Sequence, residues 1–362
     1  MVPSIAQLPD DAVDVYVSKL RKSVSSKQNL ENVIRETELV PLWNTGAPPT
    51  AAEPHSKHIP AVWRYEDTKS LLIRASELVD PAEAERRAVL MINPGPKQSP
   101  FTCDTLLAAH QLILPGEQAV CHRHTPFAVR FLVEGDKGAF KVRSHFHDEQ
   151  IAYDLSGYTA ISGKKMYMTP GDLIITPVWN WHDHGNEGDV NVIWLDGLNI
   201  PLFKPMPIDF TEHYEEEFGS PTHESKPVPD EQCEEMKFPW AKMQARLDAE
   251  PGEHAICEYT LPGGAPVSTT IGAYAQRITA GQASKTCQET NNSVFQVHTG
   301  KGWTEVSSSK GEKYTLKWSK GDTFVVPSWF RYQSFAEEGE TVYLFSFSDK
   351  PMQTNLGWWR SK

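Results

Sequence analysis

One set of spacings occurs twice in this chain, in the same order, and that repeat limits the fold more than any other feature. Gly116 is followed after five residues by His122 and then His124, and Gly135 lies eleven beyond His124; Gly281 is followed after five by Cys287 and then Glu289, and Gly300 lies eleven beyond Glu289. Further on, Gly171-Asp172 precedes Pro177, Trp179 and His182, while Gly321-Asp322 precedes Pro327, Trp329 and Tyr332 at matching distances. Repetition of a whole domain is the economical cause. With 362 residues the chain also exceeds what one hydrophobic core usually serves, so two domains are expected.

Both repeats consist of short apolar runs punctuated by Gly and Pro, the pattern of β-strands. Side chains at i and i+2 of a strand share a face, so His122 and His124 can reach a common point. His182, with His184 two residues on, arrives from a second strand-like run, GDLIITPVWNWHDHGN. Any one of these histidines alone reads as structural or solvated. Three convergent neutral imidazoles on rigid strands instead make a divalent-metal site. His122, His124, Ala128 and Arg130 have one parity, which turns Arg130 inward beside the metal. A buried guanidinium needs a partner; a bound carboxylate or an internal acid would both serve. Trp194 and Asp196 likewise share a face. Gln111 has the parity of Ile113, which leaves two placements for it, in solvent or in a polar cavity.

The remaining segments divide the chain. Residues 1–80 read as a helical N-terminal arm, with apolar residues recurring near three and four between Asp10 and Leu39. Residues 81–202 form a first β domain, entered through Arg86 and Arg87, of which only one can point to a given face of a strand. Residues 136–156 interrupt it as an insertion whose His145, His147, Asp148 and Glu149 read as an exposed strand or loop. Residues 203–250, rich in Pro, Glu and Lys, form a linker closed by a helix-like FPWAKMQARLDAE, and 251–362 form the second β domain.

A net charge of −12 argues against nucleic acid or an anionic membrane as a partner. An anionic ligand must therefore be attracted by a local cluster of Arg and His. The five cysteines are odd in number and lack paired short spacings, which points to a reducing, cytoplasmic setting. No run approaches the length of a membrane span, and the first residues lack an apolar signal core.

The spacings resemble the two cupin motifs, G(x)5HxH(x)3–4E(x)6G and G(x)5PxG(x)2H(x)3N, so the expected fold is mainly β, a bicupin of two jelly-roll barrels with N-terminal and linker helices. Ala128 stands at the motif's glutamate, Trp179 at the second motif's glycine, and the second repeat keeps no ligand histidine. HRHTPFAVRFLVEG, TPVWNWHDHGN and WLDGLNIP further resemble gentisate 1,2-dioxygenase and its salicylate- and hydroxynaphthoate-cleaving relatives. That resemblance implies one Fe(II) per chain on His122, His124 and His182. It also implies substrate contacts from Arg86, Gln111, Arg130, His184, Trp194 and Asp196, with His184, Arg130 and Asp196 serving catalysis. An aromatic acid, gentisate, and O2 are the implied substrates, in aromatic catabolism, and a homotetramer is the implied assembly. Arg86 rather than Arg87 is selected by its spacing to His122. Leu107 stands where some relatives carry an aromatic residue. With three neutral ligands and no carboxylate, the metal keeps its full charge, which favours an anionic chelating ligand such as a 2-hydroxybenzoate. Sugar-phosphate isomerases, oxalate-type decarboxylases and non-catalytic binding proteins of the same fold are the competing classes; the first two generally use the glutamate that Ala128 replaces.

Overall fold

The computed structural model describes residues 24–36, 40–44, 52–79, 87–96, 99–136, 156–214 and 225–362, the backbone of 141–146 and 149–154, and isolated positions between 12 and 22. Met1–Pro54 and His55–Lys362 are two compact units. In the first, the described helix is Lys27–Glu36, inside the span expected to be helical. The second contains both barrels.

Each barrel is built from two sheets, as expected for a bicupin. In the first, one six-stranded sheet runs Lys237–Phe238, Leu173–Thr176, Ala128–Glu134, Val192–Leu198, Leu107–Ile113 and Arg87–Leu90. Its partner runs Thr211–His213, His122–His124, His182–Asn186, Gly157–Ile161, Lys164–Tyr167 and Lys226–Pro227. The second barrel repeats the plan: Ala61–Trp63, Thr323–Val326, Ser293–Thr299, Val342–Ser348, Gly272–Ile278 and His254–Glu258 form one sheet, and Cys287–Gln288, Arg331–Ala336, Lys301–Ser307 and Lys313–Ser319 the other. His122, His124, Ala128 and Arg130, which share one parity in the sequence, lie on two strands: the chain leaves one sheet after His124 and enters the facing sheet at Ala128.

Two segments do more than connect. Ala61–Trp63, from the arm, pairs with Thr323–Val325 of the second barrel. Lys237–Phe238, from the segment read as a linker, pairs with Leu173 and Ile174 of the first, and the same segment supplies Thr211–His213 and Lys226–Pro227. Division at 81, 203 and 251 is therefore our proposal for the barrels as sequence units, with strands lent across those limits.

The repeated Gly-Asp pairs explain how each lent strand is held. Helix Trp240–Ala249 begins where Trp240 N–H donates to Asp172 Oδ1 at 3.0 Å, and helix Tyr65–Leu78 begins where Tyr65 N–H donates to Asp322 Oδ1 at 2.9 Å. An acid at a helix start accepts otherwise orphaned N–H groups and sits at the positive end of the helix dipole. Gly171 and Gly321 both have positive φ, 98° and 88°, and an added Cβ would come within 2.7 Å of Trp240 and Tyr65 respectively.

The barrels pack through the sheets that carry Phe131 and Phe345, in a shared core. Phe131 stacks on Phe345 with centroids 4.4 Å apart, and Val129, Ala273, Ala275 and Phe347 surround them, all fully buried. One element departs from the sequence reading: Lys350–Asn355, taken with the C-terminal strands, is a short helix, with Pro351 at its start, where a missing N–H costs nothing. The insertion's backbone pairs as a two-stranded hairpin, Lys141–Phe146 with Glu149–Asp154. His147 and Asp148 lie outside the described residues. Among the described residues no helix is long and apolar enough to cross a membrane.

Candidate metal centre

His122, His124 and His182 meet inside the first barrel. His182 lies directly opposite His122 in antiparallel register, and the three residues offer nitrogen atoms within 4.8 Å of one another. All three side chains are buried, and among the described residues they are the one such group of three or more His, Cys, Asp or Glu. Each ring is oriented by a backbone carbonyl: Nδ1 contacts Val120 O at 2.9 Å for His122, Pro126 O at 2.7 Å for His124 and Asn180 O at 2.8 Å for His182. A carbonyl can only accept, so it selects the Nδ1–H tautomer and leaves the Nε2 lone pair for a metal. Burial, then the neighbouring His122 and His124, push His182 well below the ordinary imidazole range, so the ring is neutral at physiological pH. Its Nε2 is buried and makes no hydrogen bond. This donor set fits a borderline divalent ion.

The cavity wall opposite the histidines is the sheet carrying Arg130. Residues paired across antiparallel strands share a face. Asp196 pairs with both Arg130 and Ala109, and Trp194 with both Leu132 and Gln111. Gln111 is buried and shares the sheet face of Trp194 and Asp196, so of the two placements that alternation left open it does not take the one in solvent. Arg130 Nε lies 2.8 Å from Asp196 Oδ1, close enough for an ion pair though not aligned as a hydrogen bond, and its Nη1 donates to Thr176 Oγ1 at 3.2 Å. Asp196 is therefore the internal acid considered as Arg130's alternative partner. Its Oδ2 also accepts from Trp194 Nε1 at 3.0 Å, which fixes the indole plane near the guanidinium, 5.5 Å from ring centroid to Cζ. His184 is fully buried, with its ring 5.5 Å from both those of His182 and Trp194.

Two positions need correction or closure. Arg87 pairs in register with Leu112, on the face away from Gln111, and forms an ion pair with Glu117. It does not line the cavity. Arg86 lies outside the described residues. Sequence reading missed Thr159, whose Oγ1 lies 3.0 Å from His184 Nδ1 and which is His184's cross-strand partner. A threonine in GYTAI carries no signal of this; only the register does.

Comparison with known proteins follows the same lines. The cupin domain profile matches residues 131–198. Gentisate 1,2-dioxygenase 1 of Aquipseudomonas alcaligenes is 32% identical over 367 residues, covering 95% of this chain and 96% of that protein. The chain belongs to the gentisate 1,2-dioxygenase family. Within that family, 5-aminosalicylate 1,2-dioxygenase of Comamonas sp. is 31% identical over 92% of this chain and 89% of its own length. The crystal structure of salicylate 1,2-dioxygenase from Pseudoaminobacter salicylatoxidans with gentisate superposes with a TM-score of 0.77, at 28% identity, covering 99% of this chain and 96% of that one.

The second barrel of this gentisate dioxygenase relative shows what the repeat became. Cys287 pairs with Tyr332 in the register that His122 and His182 keep in the first. Phe295, at Arg130's position, stacks on Phe324 at 4.6 Å and meets Tyr332 at 5.8 Å. Glu289 is ion-paired to Lys350 at 3.1 Å. An aromatic filling thus stands where the first barrel carries charged and polar walls.

Proposed function

We propose that this chain is an Fe(II)-dependent, extradiol-type dioxygenase that cleaves gentisate with O2 to maleylpyruvate. The observation that carries this reading is the convergence of three carbonyl-oriented imidazoles with His184, Trp194, Arg130 and Asp196 inside one barrel. The family relationship supports it over most of the chain.

The iron, held by His122, His124 and His182, would supply the Lewis-acid and electron-transfer chemistry that brings O2 to an electron-rich ring. The chain's own groups do the rest. Arg130 binds the substrate carboxylate through charge-assisted hydrogen bonds, and Asp196 keeps its guanidinium in place. Trp194, held by the same carboxylate, forms an aromatic wall for the ring. Gln111 offers a polar group on that wall, and Arg86 is assigned to the carboxylate by resemblance. His184 accepts or holds the proton of the substrate's 5-hydroxyl, para to its 2-hydroxyl; Thr159 at its Nδ1 fixes which nitrogen faces the substrate. Burial of these groups excludes water and strengthens each polar contact.

A salicylate or hydroxynaphthoate substrate is the second reading. Leu107 favours the larger hydroxynaphthoate: paired opposite Leu198, it occupies the position where some relatives carry an aromatic residue, and so offers more space for a second ring. The proposal extends to one iron per chain, a homotetramer and a cytoplasmic location; the five free cysteines support the last. Anaerobic loading with Fe(II), followed by O2 uptake and ultraviolet monitoring with a panel of hydroxybenzoates, tests the function. Iron binding without turnover of any member would identify a binding protein instead.

A further inference from the structure

The strand that presents His122 and His124 inward turns Arg123 outward. Arg123 Cζ lies 4.5 Å from the ring centroids of both Trp179 and Trp181. Its Nη2 is 2.6 Å from Glu212 Oε2, and Nε donates to the same oxygen at 2.8 Å. The aromatic pair is itself held, Trp179 against Phe210 at 4.3 Å and Trp181 edge-on to Tyr214 at 5.0 Å. A planar cation between two indoles, with a carboxylate in its plane, uses every face that a guanidinium has.

These partners belong to the segments that set the ligand histidines. Asn180, between the two tryptophans, supplies the carbonyl that orients His182. Trp179 N–H donates to His124 O at 3.0 Å, from a left-handed backbone with φ 63° that a bulky side chain rarely adopts. Thr211–His213 pairs with His122–His124, and Tyr214 N–H donates to Cys121 O at 2.9 Å.

The repeat provides an internal comparison. Trp329, equivalent to Trp179, also has positive φ, 65°, and donates to Glu289 O at 2.8 Å. The left-handed tryptophan is thus common to both barrels. At the Arg123 position, however, stands Gln288, whose Nε2 donates to Trp329 O at 3.1 Å, and at the Trp181 position stands Arg331. The clamped cation accompanies the histidine site.

We propose that Arg123 is a positioning residue for the three-histidine centre: clamped by Trp179, Trp181 and Glu212, it locks the loop that orients His182 to the strand that carries His122 and His124. This deepens the reading of that centre as a metal site and rests on it. Arg123 lies on the strand face opposite His122 and His124, so its effect is on how well the three imidazoles are preset. Partners that orient ligand histidines typically contribute about 10–100-fold in metal affinity.

The test is metal affinity, with Co(II) and with Fe(II) held anaerobically, by chelator competition on the full chain. Arg123→Ala is expected to bind each ion about 10–100-fold more weakly and to lose it faster. Arg123→Lys should recover only part, since an ammonium cannot stack on two indoles as a plane. Glu212→Gln, at a more exposed site, should give a smaller loss in a protein that still melts cooperatively. Saturating Fe(II) should restore kcat in Arg123→Ala, which a catalytic role would not allow. Equal affinities and release rates in wild type and all three variants would overturn the proposal. Because binding is read without turnover, a wild type that holds metal tightly yet turns over no hydroxybenzoate would defeat the functional reading while leaving this one standing.

Discussion

Arg130 and Asp196 face each other across adjacent strands, with Nε 2.8 Å from Oδ1 and side chains 4% and 8% exposed. Neither charge is in water, so each is needed to make the other tolerable. Removing Arg130 therefore has two consequences. Arg130→Ala should retain metal and weaken substrate binding by about 1.5–3 kcal/mol, the worth of a hydrogen bond to a charged group. It should also destabilise the fold by about 3–5 kcal/mol, because Asp196 is left buried without its partner. Adding Asp196→Asn should recover part of the stability and none of the affinity. Denaturant titration together with equilibrium substrate binding separates the two effects; unchanged affinity in the folded fraction would make Arg130 purely structural.

His184 is expected to behave differently from the ligand histidines. His184→Ala should keep the metal and lose kcat by about 100-fold or more, the usual worth of a positioned acid–base group. Thr159→Val, which keeps shape and removes the hydroxyl at Nδ1, should lower kcat less and leave metal content unchanged. Replacing His122, His124 or His182 by Ala should instead abolish metal retention, measured by elemental analysis after gel filtration.

Metal stoichiometry is a separate expectation. Purified, iron-loaded protein should hold about one ion per chain, the count for a single three-histidine site. Two ions per chain, with the second lost in a Cys287→Ser, Glu289→Gln variant, would show that the second barrel also binds metal.

Stability should fall with acid below neutrality, through buried histidines outside the three-histidine cluster. Burial pushes His110 and His298 each down to about 4. An imidazole whose folded pKa is depressed takes up its proton more readily in the unfolded chain, so its contribution is fully present above about pH 6.5. It is lost as pH drops towards 4, by up to about 1.4 kcal/mol per pH unit for each group. Urea titrations of metal-loaded protein between pH 7 and 5 should show this slope, and His110→Gln should flatten it. His110 contacts Thr68 Oγ1 at 2.8 Å and Tyr65 edge-on at 5.4 Å, so the variant also reports on how the lent helix is docked.

The packing between barrels predicts a further loss. Phe345→Ala removes a ring stacked on Phe131 and surrounded by residues of both barrels, and should cost about 3–5 kcal/mol. Loss of both barrels in one transition would follow from their shared core; two separated transitions would contradict it.

Much of this protein is determined by the sequence alone. Glycine, proline and histidine spacings specify two barrels and a three-histidine cluster, because turns need particular backbone angles and side chains two apart on a strand share a face. Parity also groups Ala128 with Arg130, and Trp194 with Asp196, on one face of their strands. What spacing cannot hold is anything that depends on which strand lies beside which. The chain crosses between sheets after His124, so His122 and Arg130 face each other from opposite walls although they look like one strand. Asp196 becomes Arg130's partner, Thr159 becomes His184's, and Gln111 joins the face of Trp194 and Asp196, all through cross-strand register. Asp172 and Asp322 repeat visibly in the sequence, but only the fold shows that each receives a helix from a segment that sequence places outside its own barrel. Local spacing is set by backbone geometry a few residues long; these partnerships are set by pairing energies between distant strands, which act only once the chain has closed on itself.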